Sequence, residues 1–499
     1  MTTSLPSIVQ LKPFLQPFPY GREGLDSWAA QYALATPSLK ADVEKDGGIK
    51  PSQPYGEIWF GTHENGPAKV EGEEQSLRAL VHKDPKFYLG EKLLKDGQMS
   101  SQYANDLPYL FKVLSFDKPL PLQCHPDKKL GAKVCRFSPG FPARERELTL
   151  GRSIQLKDQE KRDKGKNEDF EDSNPKPEVG VALSPFTAFV GFRPPEQLAS
   201  LVKAVPEFQQ LFQESTLSSF YSTASSSPSD ESAKSALRSL FREAIHLDGA
   251  SVKPLIKKLS ARLDTEGAEK VFGAANQFTP GGEANASGES EAEAMARVWR
   301  ISTKTYGEDD VGVLVSTCMM NLLRMRKGEG AWILGKPCTR RLEFLAADDL
   351  HAYVEGDIIE CMANSDNMVA HGLGTEEQGG ISTFVEMLSY RHLPAEKLLL
   401  QYEDGWSGGK NGLTRLYKVP IAEFDLLGTT LSPSSPSETL APLDGPLTFV
   451  VTEGTIALKV GSEQLELSQG QAGFVRAGAE IELKSAGSER AEIWGAFYQ

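Results

Sequence analysis

The stretch L-P-Y-L-F-K-V-L-S-F-D-K-P-L-P-L-Q-C-H-P-D-K, Leu107 to Lys128, decides how this chain reads. Tyr109, Phe111 and Val113 alternate with Leu110, Lys112 and Leu114, and a second run through Leu120 and Leu122 leads to Gln123 and His125. The pattern predicts two strands joined at Asp117–Lys118–Pro119, with Pro126 ending the second. Side chains at i and i+2 project from one face of a strand, so Gln123 and His125 bring an amide oxygen and an imidazole within reach of one metal ion. On Q-x-H alone the plainer reading, a hydrogen-bonded histidine at a strand end, is the better one. Other segments change the balance.

A chain of 499 residues supports two or three domains with full cores, so folding needs neither disulfides nor a metal. A formal charge of −14 and the lack of a long basic stripe exclude nucleic acid and anionic membrane as partners, and an anionic substrate would need a local basic pocket. The five cysteines, Cys124, Cys135, Cys318, Cys338 and Cys361, are scattered with no C-x-x-C, which favours reduced thiols over thiolate zinc sites. The N-terminal stretch lacks a basic segment followed by an apolar core, and the most apolar later stretch, Val311 to Leu323, is interrupted by Ser316, Thr317 and Asn321. A soluble, cytoplasmic protein is expected.

Upstream, Gln16 to Gly24 reads as a compact aromatic and glycine turn with Arg22 in solvent, followed by a helix from Ser27 through Ala35. Tyr55 to His63, Y-G-E-I-W-F-G-T-H, alternates as a strand with Trp59 in the core and His63 in a loop. Downstream, Gly131 to Asp172 is charged and aperiodic, a solvated insertion whose Lys157 to Asp169 part is expected to be mobile and dispensable. It ends at N-P-K-P-E, where two prolines deliver Lys176 and Glu178 ahead of an apolar strand, Val179 to Phe192. A glutamate opening a buried strand is either a ligand or a residue still in solvent.

From Pro195 the spacing turns helical: Leu198, Leu201, Val202 and Val205, then Leu237, Leu240, Phe241 and Ile245, then Leu255, Leu259 and Leu263. Within this stretch Ser218 to Ser232 is a serine-rich loop and Thr279 to Glu293 an acidic linker, and neither carries chemistry; Gly281 to Glu293 is expected to be mobile. Strands are predicted to resume near Val311. In L-H-A-Y-V-E-G-D-I-I-E-C-M-A-N-S-D-N, Leu350 to Asn367, His351, Tyr353 and Glu355 share a face and Gly356–Asp357 is expected to turn the chain into a hairpin. From Arg391 onward, short alternating strands such as T-F-V-V-T-E-G-T-I-A-L-K-V predict a β-sandwich or jelly roll with no cluster of metal ligands.

Taken in order, Q-C-H-P-D-K, N-P-K-P-E and H-A-Y-V-E-G-D-I-I-E-C-M-A-N-S-D-N resemble the type I mannose-6-phosphate isomerases, zinc-dependent enzymes of cupin fold. Y-G-E-I-W-F-G-T-H, L-F-K-V-L-S, the helical stretch and Thr383 to Tyr390 extend the likeness over most of the chain. The resemblance implies a mainly β protein with two cupin-like jelly-roll domains and an α-helical insertion domain. The expected division is 1–194 with 302–390 as catalytic domain, 195–301 as helical insertion, and 391–499 as C-terminal jelly roll. It implies one Zn2+ per chain on Gln123, His125, Glu178 and His351, an N/O donor set with room for water or substrate. It also implies interconversion of D-mannose 6-phosphate and D-fructose 6-phosphate through an enediol, feeding GDP-mannose biosynthesis. Lys112, Lys176, Tyr353 and Glu360 look like the family's polar pocket residues, whereas Lys128 reads as a loop cap. The partner is then a small sugar phosphate, and the chain is expected to be a monomer.

Four positions depart from the family pattern. Ala370 stands where the family carries an arginine, Glu376 where it carries a lysine, Pro121 for a serine and Pro175 for a histidine. The metal motifs are kept while the phosphate and proton-transfer machinery is altered. His371, beside Ala370 in a glycine-rich loop, is the expected substitute for the missing positive charge, supplying it only when protonated. Two rivals follow: a catalytically weak or inactive zinc-binding paralogue with a sensing or scaffold role, and a sugar- or nucleotide-binding storage protein of tandem cupin-like domains.

Overall fold

Every residue of the strand Tyr109–Phe116 is buried, which requires partners along both edges and cover on both faces. Glu57–Trp59 pairs along one edge and the second half of the strand His351–Ala363 along the other. The computed structural model describes residues 5–125, 174–224, 231–277, 288–333, 349–375, 378–487 and 489–498. Around Tyr109–Phe116 an antiparallel sheet runs in the order Leu399–Leu400, Gly330–Ile333, Glu178–Ala182, His351–Ala363, Tyr109–Phe116, Glu57–Trp59, Phe14–Gln16. A second row branches from the long strand: Phe186–Phe192 pairs with its first half and with Met320–Met325, while Gln123–Cys124 pairs with His351 and with Val369–Ala370.

His351–Ala363 is thus one strand of 13 residues shared by both rows, where a hairpin was expected. Gly356 is the bend, at φ +134°, and a Cβ there would meet the Pro185 carbonyl oxygen at 2.9 Å and Phe186 at 3.0 Å. Asp357 sits inside the sheet instead of at a solvated turn because its carboxylate accepts hydrogen bonds from Ser115 Oγ at 2.6 Å and Ser184 Oγ at 2.8 Å. The apolar run Val179 to Phe192 is likewise two strands, Glu178–Ala182 and Phe186–Phe192.

Val311–Met319 is a helix, not the start of a strand; all nine of its residues are buried, so no periodicity separated the two readings. Asp310 decides it by capping the Gly312 N–H at 2.7 Å. The described residues between Pro195 and Tyr306 are mostly helical, and the apolar faces of these helices close on Leu122, Phe189 and Phe192 of the second row.

The acidic linker is structural at its end. Ser290 and Glu293 form a reciprocal capping box for the helix Glu291–Tyr306, and buried Glu291 faces Arg193 at 3.6 Å and Arg324 at 3.4 Å. Residues 288–293 are therefore anchored rather than dispensable. Residues 278–287 and 157–169 lie outside the described residues.

C-terminal strands form an eight-stranded and a four-stranded sheet packed through Phe449, Leu458, Leu467 and Ile493. The N-terminal strand Ile8–Lys12 joins the larger of these, between Ala472–Val475 and Lys69–Val70, although it lies more than four hundred residues away in the chain. No helix among the described residues is long and apolar enough to cross a membrane.

Two outcomes follow from this packing. Replacing Gly356 with Ala should cost more than about 1 kcal/mol in chemical denaturation, because φ stays positive and the new methyl meets backbone. Burial pushes the Asp425 carboxyl up to about 6, while the Val419 N–H donates to it at 2.7 Å. A raised acid pKa means that stability is fully present below the unfolded value near 4 and is lost as pH rises toward about 6. Asp425→Asn keeps the acceptor and removes the charge. Its stability relative to the parent should therefore be better at pH 7.5 than at pH 4.5 by about 2 kcal/mol, read by urea titration at both.

Candidate active site and metal centre

Three of the four expected ligands converge where the two rows meet. His125 Nε2 lies 3.4 Å from Glu178 Oε1, His351 Nε2 lies 3.5 Å from Glu178 Oε2, and donor atoms of the three residues lie within 4.8 Å of one another. Two atoms each about 2.1 Å from one tetrahedral zinc are separated by about 3.4 Å, so the spacing suits such an ion. Gln123 is aligned with His351 across the ladder, so its side chain leaves from the same face, and it is buried.

The chemistry of the donors fits as well. His125 Nδ1 donates to the Asn367 carbonyl at 2.9 Å and His351 Nδ1 to the Asp349 carbonyl at 3.1 Å, which leaves each Nε2 with a bare lone pair. Both Nε2 atoms are buried and have no hydrogen-bond partner among the described residues, a costly condition that a metal relieves. Burial lowers the His125 pKa to about 4, against the pull of Glu178, so the ring is neutral near pH 7. Burial disfavours the Glu178 charge, but the Lys176 ammonium outweighs it and holds this carboxyl well below the usual range. Lys176 reaches Glu178 Oε1 at 3.0 Å.

Beside this centre lies a buried charge triad. Lys112 Nζ stands 2.6 Å from Glu360 Oε2 and 3.3 Å from Glu57 Oε2. The pairing follows from register, since Lys112 is opposite Glu360 on one neighbouring strand and Trp59 on the other. Trp59 Nε1 donates to Glu57 at 2.6 Å and the Tyr20 hydroxyl donates to its other oxygen. Burial opposes the Lys112 charge, yet Glu360 and Glu57 prevail and raise its pKa above that of an ordinary lysine. Burial raises the Glu360 carboxyl, with Lys112 offsetting part of the shift. Glu57, Glu178 and Glu360 against Lys112 and Lys176 leave one negative charge, which a divalent ion converts to one positive.

Tyr353 stacks on Phe116, with ring centroids 5.9 Å apart, and its hydroxyl passes 3.3 Å from where a Cβ on Gly180 would stand. That hydroxyl is buried without a hydrogen-bond partner among the described residues. Ala370 pairs with Gln123 and so shares the metal-facing side, but it brings no charge there. His371 continues the same pairing, its N–H donating to the Leu122 carbonyl at 3.0 Å. By backbone register it stands opposite Leu122, one position on from the Ala370–Gln123 pair. Glu376 and Lys128 lie outside the described residues.

Two site residues escaped the sequence reading. His63, assigned to a loop, is buried, with Nε2 3.2 Å from Asp366 Oδ1 and its ring edge-on to Trp59. Glu57 was visible only as an alternating position; its spacing of two from Trp59 was the available signal, since both then share a face.

A cupin-type sheet core closing on a His–Glu–His centre defines a candidate metal-binding protein, and likeness to known proteins narrows the class. The family model for phosphomannose isomerase type I, catalytic domain, matches residues 8–195. The mannose-6-phosphate isomerase of Cryptococcus neoformans var. neoformans is 32% identical over 488 residues, 96% of this chain and 96% of that protein. That of Aspergillus fumigatus is 29% identical over 507 residues, covering 98% and 96% respectively. The apo crystal structure of the Salmonella typhimurium mannose 6-phosphate isomerase superposes with a TM-score of 0.67 at 21% identity, covering 99% of this chain and 100% of that one. A mannose 6-phosphate isomerase bound with zinc and yttrium gives 0.66 at 22%, covering 99% and 100%. The chain belongs to the type I mannose-6-phosphate isomerase family.

Removing one member of a buried charge triad strands the others. Lys112→Met should lower stability by about 3 kcal/mol or more in denaturant unfolding, and adding Glu57→Gln and Glu360→Gln should recover part of the loss.

Proposed function

We propose that this chain interconverts D-mannose 6-phosphate and D-fructose 6-phosphate as a zinc-dependent aldose–ketose isomerase. The observation that carries the reading is the pair of bare Nε2 atoms on Glu178, set beside the buried Lys112–Glu360 pair. His125, Glu178, His351 and Gln123 would hold the ion. When bound, zinc supplies positive charge that favours oxygen anion character next to the carbon losing its proton.

The chain's own groups do the rest. Isomerisation removes a proton from C2 of the aldose and returns one to C1, while a hydroxyl proton moves between the two oxygens. Glu360, whose carboxyl is raised by burial, is suited to accept and return a proton. Lys112 stays charged beside it and stabilises the deprotonated form. Lys176 and the Tyr353 hydroxyl present donors to sugar or phosphate oxygens, and the burial of the site excludes water from the carbanion.

The same reading covers the finer architecture. The strands carrying the site are one cupin-like jelly roll, the C-terminal sheets a second, and the helices of 195–301 an insertion, with Ile8–Lys12 reassigned to the C-terminal sandwich. The described cysteines Cys318 and Cys361 are buried and form no disulfide, which supports a reducing compartment, the cytoplasm, and the chain acts as a monomer. A zinc-binding protein of low turnover is the second reading, favoured by Ala370 on the metal-facing side.

A coupled assay on zinc-loaded protein separates them. Turnover of mannose 6-phosphate, abolished by chelation and restored by zinc, is expected, together with a fall in kcat of at least about a hundredfold in Glu360→Gln. Stoichiometric zinc without turnover would establish the second reading. His371→Ala should leave kcat and KM unchanged, and a tenfold change in either would place that ring in the site after all.

A further inference from the structure

We propose that two ion pairs outside the metal's own ligands, His63 with Asp366 and Arg391 with Asp349, set how tightly the chain holds its metal. The inference rests on the metal centre proposed above. A ligand histidine aims its Nε2 only as well as its Nδ1 is held, and here both Nδ1 atoms are held by backbone carbonyls, of Asn367 and Asp349. Neither carbonyl belongs to a strand or helix. Ser365 to Asn367 is irregular chain, and Asp349 precedes the strand that starts at His351. Side chains therefore have to position them.

On the first segment, Asp366 is gripped at both oxygens: Oδ1 lies 3.2 Å from His63 Nε2, and Oδ2 accepts from Asn65 Nδ2 at 3.0 Å. His63 is itself fixed, 4% exposed, its Nδ1 accepting the Asn65 N–H at 3.2 Å and its ring 5.3 Å from that of Trp59. That tautomer leaves the proton on Nε2, pointed at Asp366. Asn367 is also tied down, its Nδ2 donating to the Asn174 carbonyl at 2.9 Å.

On the second segment, the Asp349 carboxylate is 3% exposed and accepts from Ser389 Oγ at 3.0 Å and from the Arg391 guanidinium. Ser389 Oγ in turn accepts the Arg391 N–H at 3.2 Å, so the segment Ser389 to Arg391 clamps Asp349 as a unit. Both clamps join parts of the chain that no strand pairing joins, and each ends one covalent step from a carbonyl that orients a ligand. His63, Asp366, Arg391 and Asp349 are thus positioning residues for the two rings.

The test measures zinc affinity by competition with a chromophoric chelator, the absorption of the Co2+-loaded protein, and the circular dichroism of the apo protein. His63→Ala and Arg391→Ala should each weaken zinc binding about tenfold and shift the cobalt bands while the apo spectrum stays unchanged, and Arg391→Lys should recover most of the affinity. Asn65→Ala and Ser389→Ala, which remove the side-chain hydrogen bonds that each makes to its aspartate's clamp and leave the ion pairs in place, should show the same change in smaller measure and decide the matter if the larger truncations do not fold. Wild-type affinity and cobalt bands in the folded variants would overturn this inference alone. A parent protein that takes up no stoichiometric zinc would overturn the metal centre and this inference with it.

Discussion

A carboxylate buried to 3% exposure, Glu178, is the constraint on which the rest of this molecule depends. Taking that charge out of water costs several kcal/mol unless cations or a metal answer it. The answer here is Lys176 on one side and two imidazoles that present lone pairs rather than protons. An arrangement of lone pairs facing a carboxylate is repulsive until a dication enters. The protein has therefore placed folding energy into a geometry that only a metal completes, and the strands around it must be rigid enough to hold that geometry.

Rigidity comes from one shared strand. His351–Ala363 belongs to both rows of the catalytic sheet, and its bend at Gly356 lets the first half deliver His351 and Tyr353 while the second half delivers Glu360 opposite Lys112. Metal centre and charge triad are in this way mounted on the two ends of a single element. Glu57 extends the triad to the next strand and is pinned there by Tyr20 and Trp59. Gln123, Glu178, His351, Lys112, Glu360 and Glu57 stand on strands, while His125 and Lys176 lie within two residues of strand ends, which suits chemistry that depends on sub-ångström placement.

One departure from the expected pattern, Ala370, lies beside this rigid centre. Ala370 occupies the metal-facing side next to Gln123 and brings no charge there. The buried machinery contains its own cations, Lys112 and Lys176, both already paired with carboxylates. Charge for a phosphate is then governed by the ion that Glu178 and the histidines hold, since without it the five charges of the site sum to one negative.

By itself the sequence determined what local sterics determine. Alternation told which of Tyr109 to Phe116 share a face, Ser27 before Trp28 marked a helix start, i and i+2 spacing put Gln123 with His125 and His351 with Tyr353, and the ordered motifs identified the family. Only the tertiary structure decided which faces meet. It turned an expected hairpin into one strand because Ser115 and Ser184 satisfy Asp357, and made Val311–Met319 a helix because every side of it is covered. It drew His63 to Asp366 across three hundred residues and placed Ile8–Lys12 in the C-terminal sheet. The physical reason is that side-chain period is a property of neighbouring residues, whereas burial, pairing partner and the fate of a buried charge are properties of segments brought together from far along the chain.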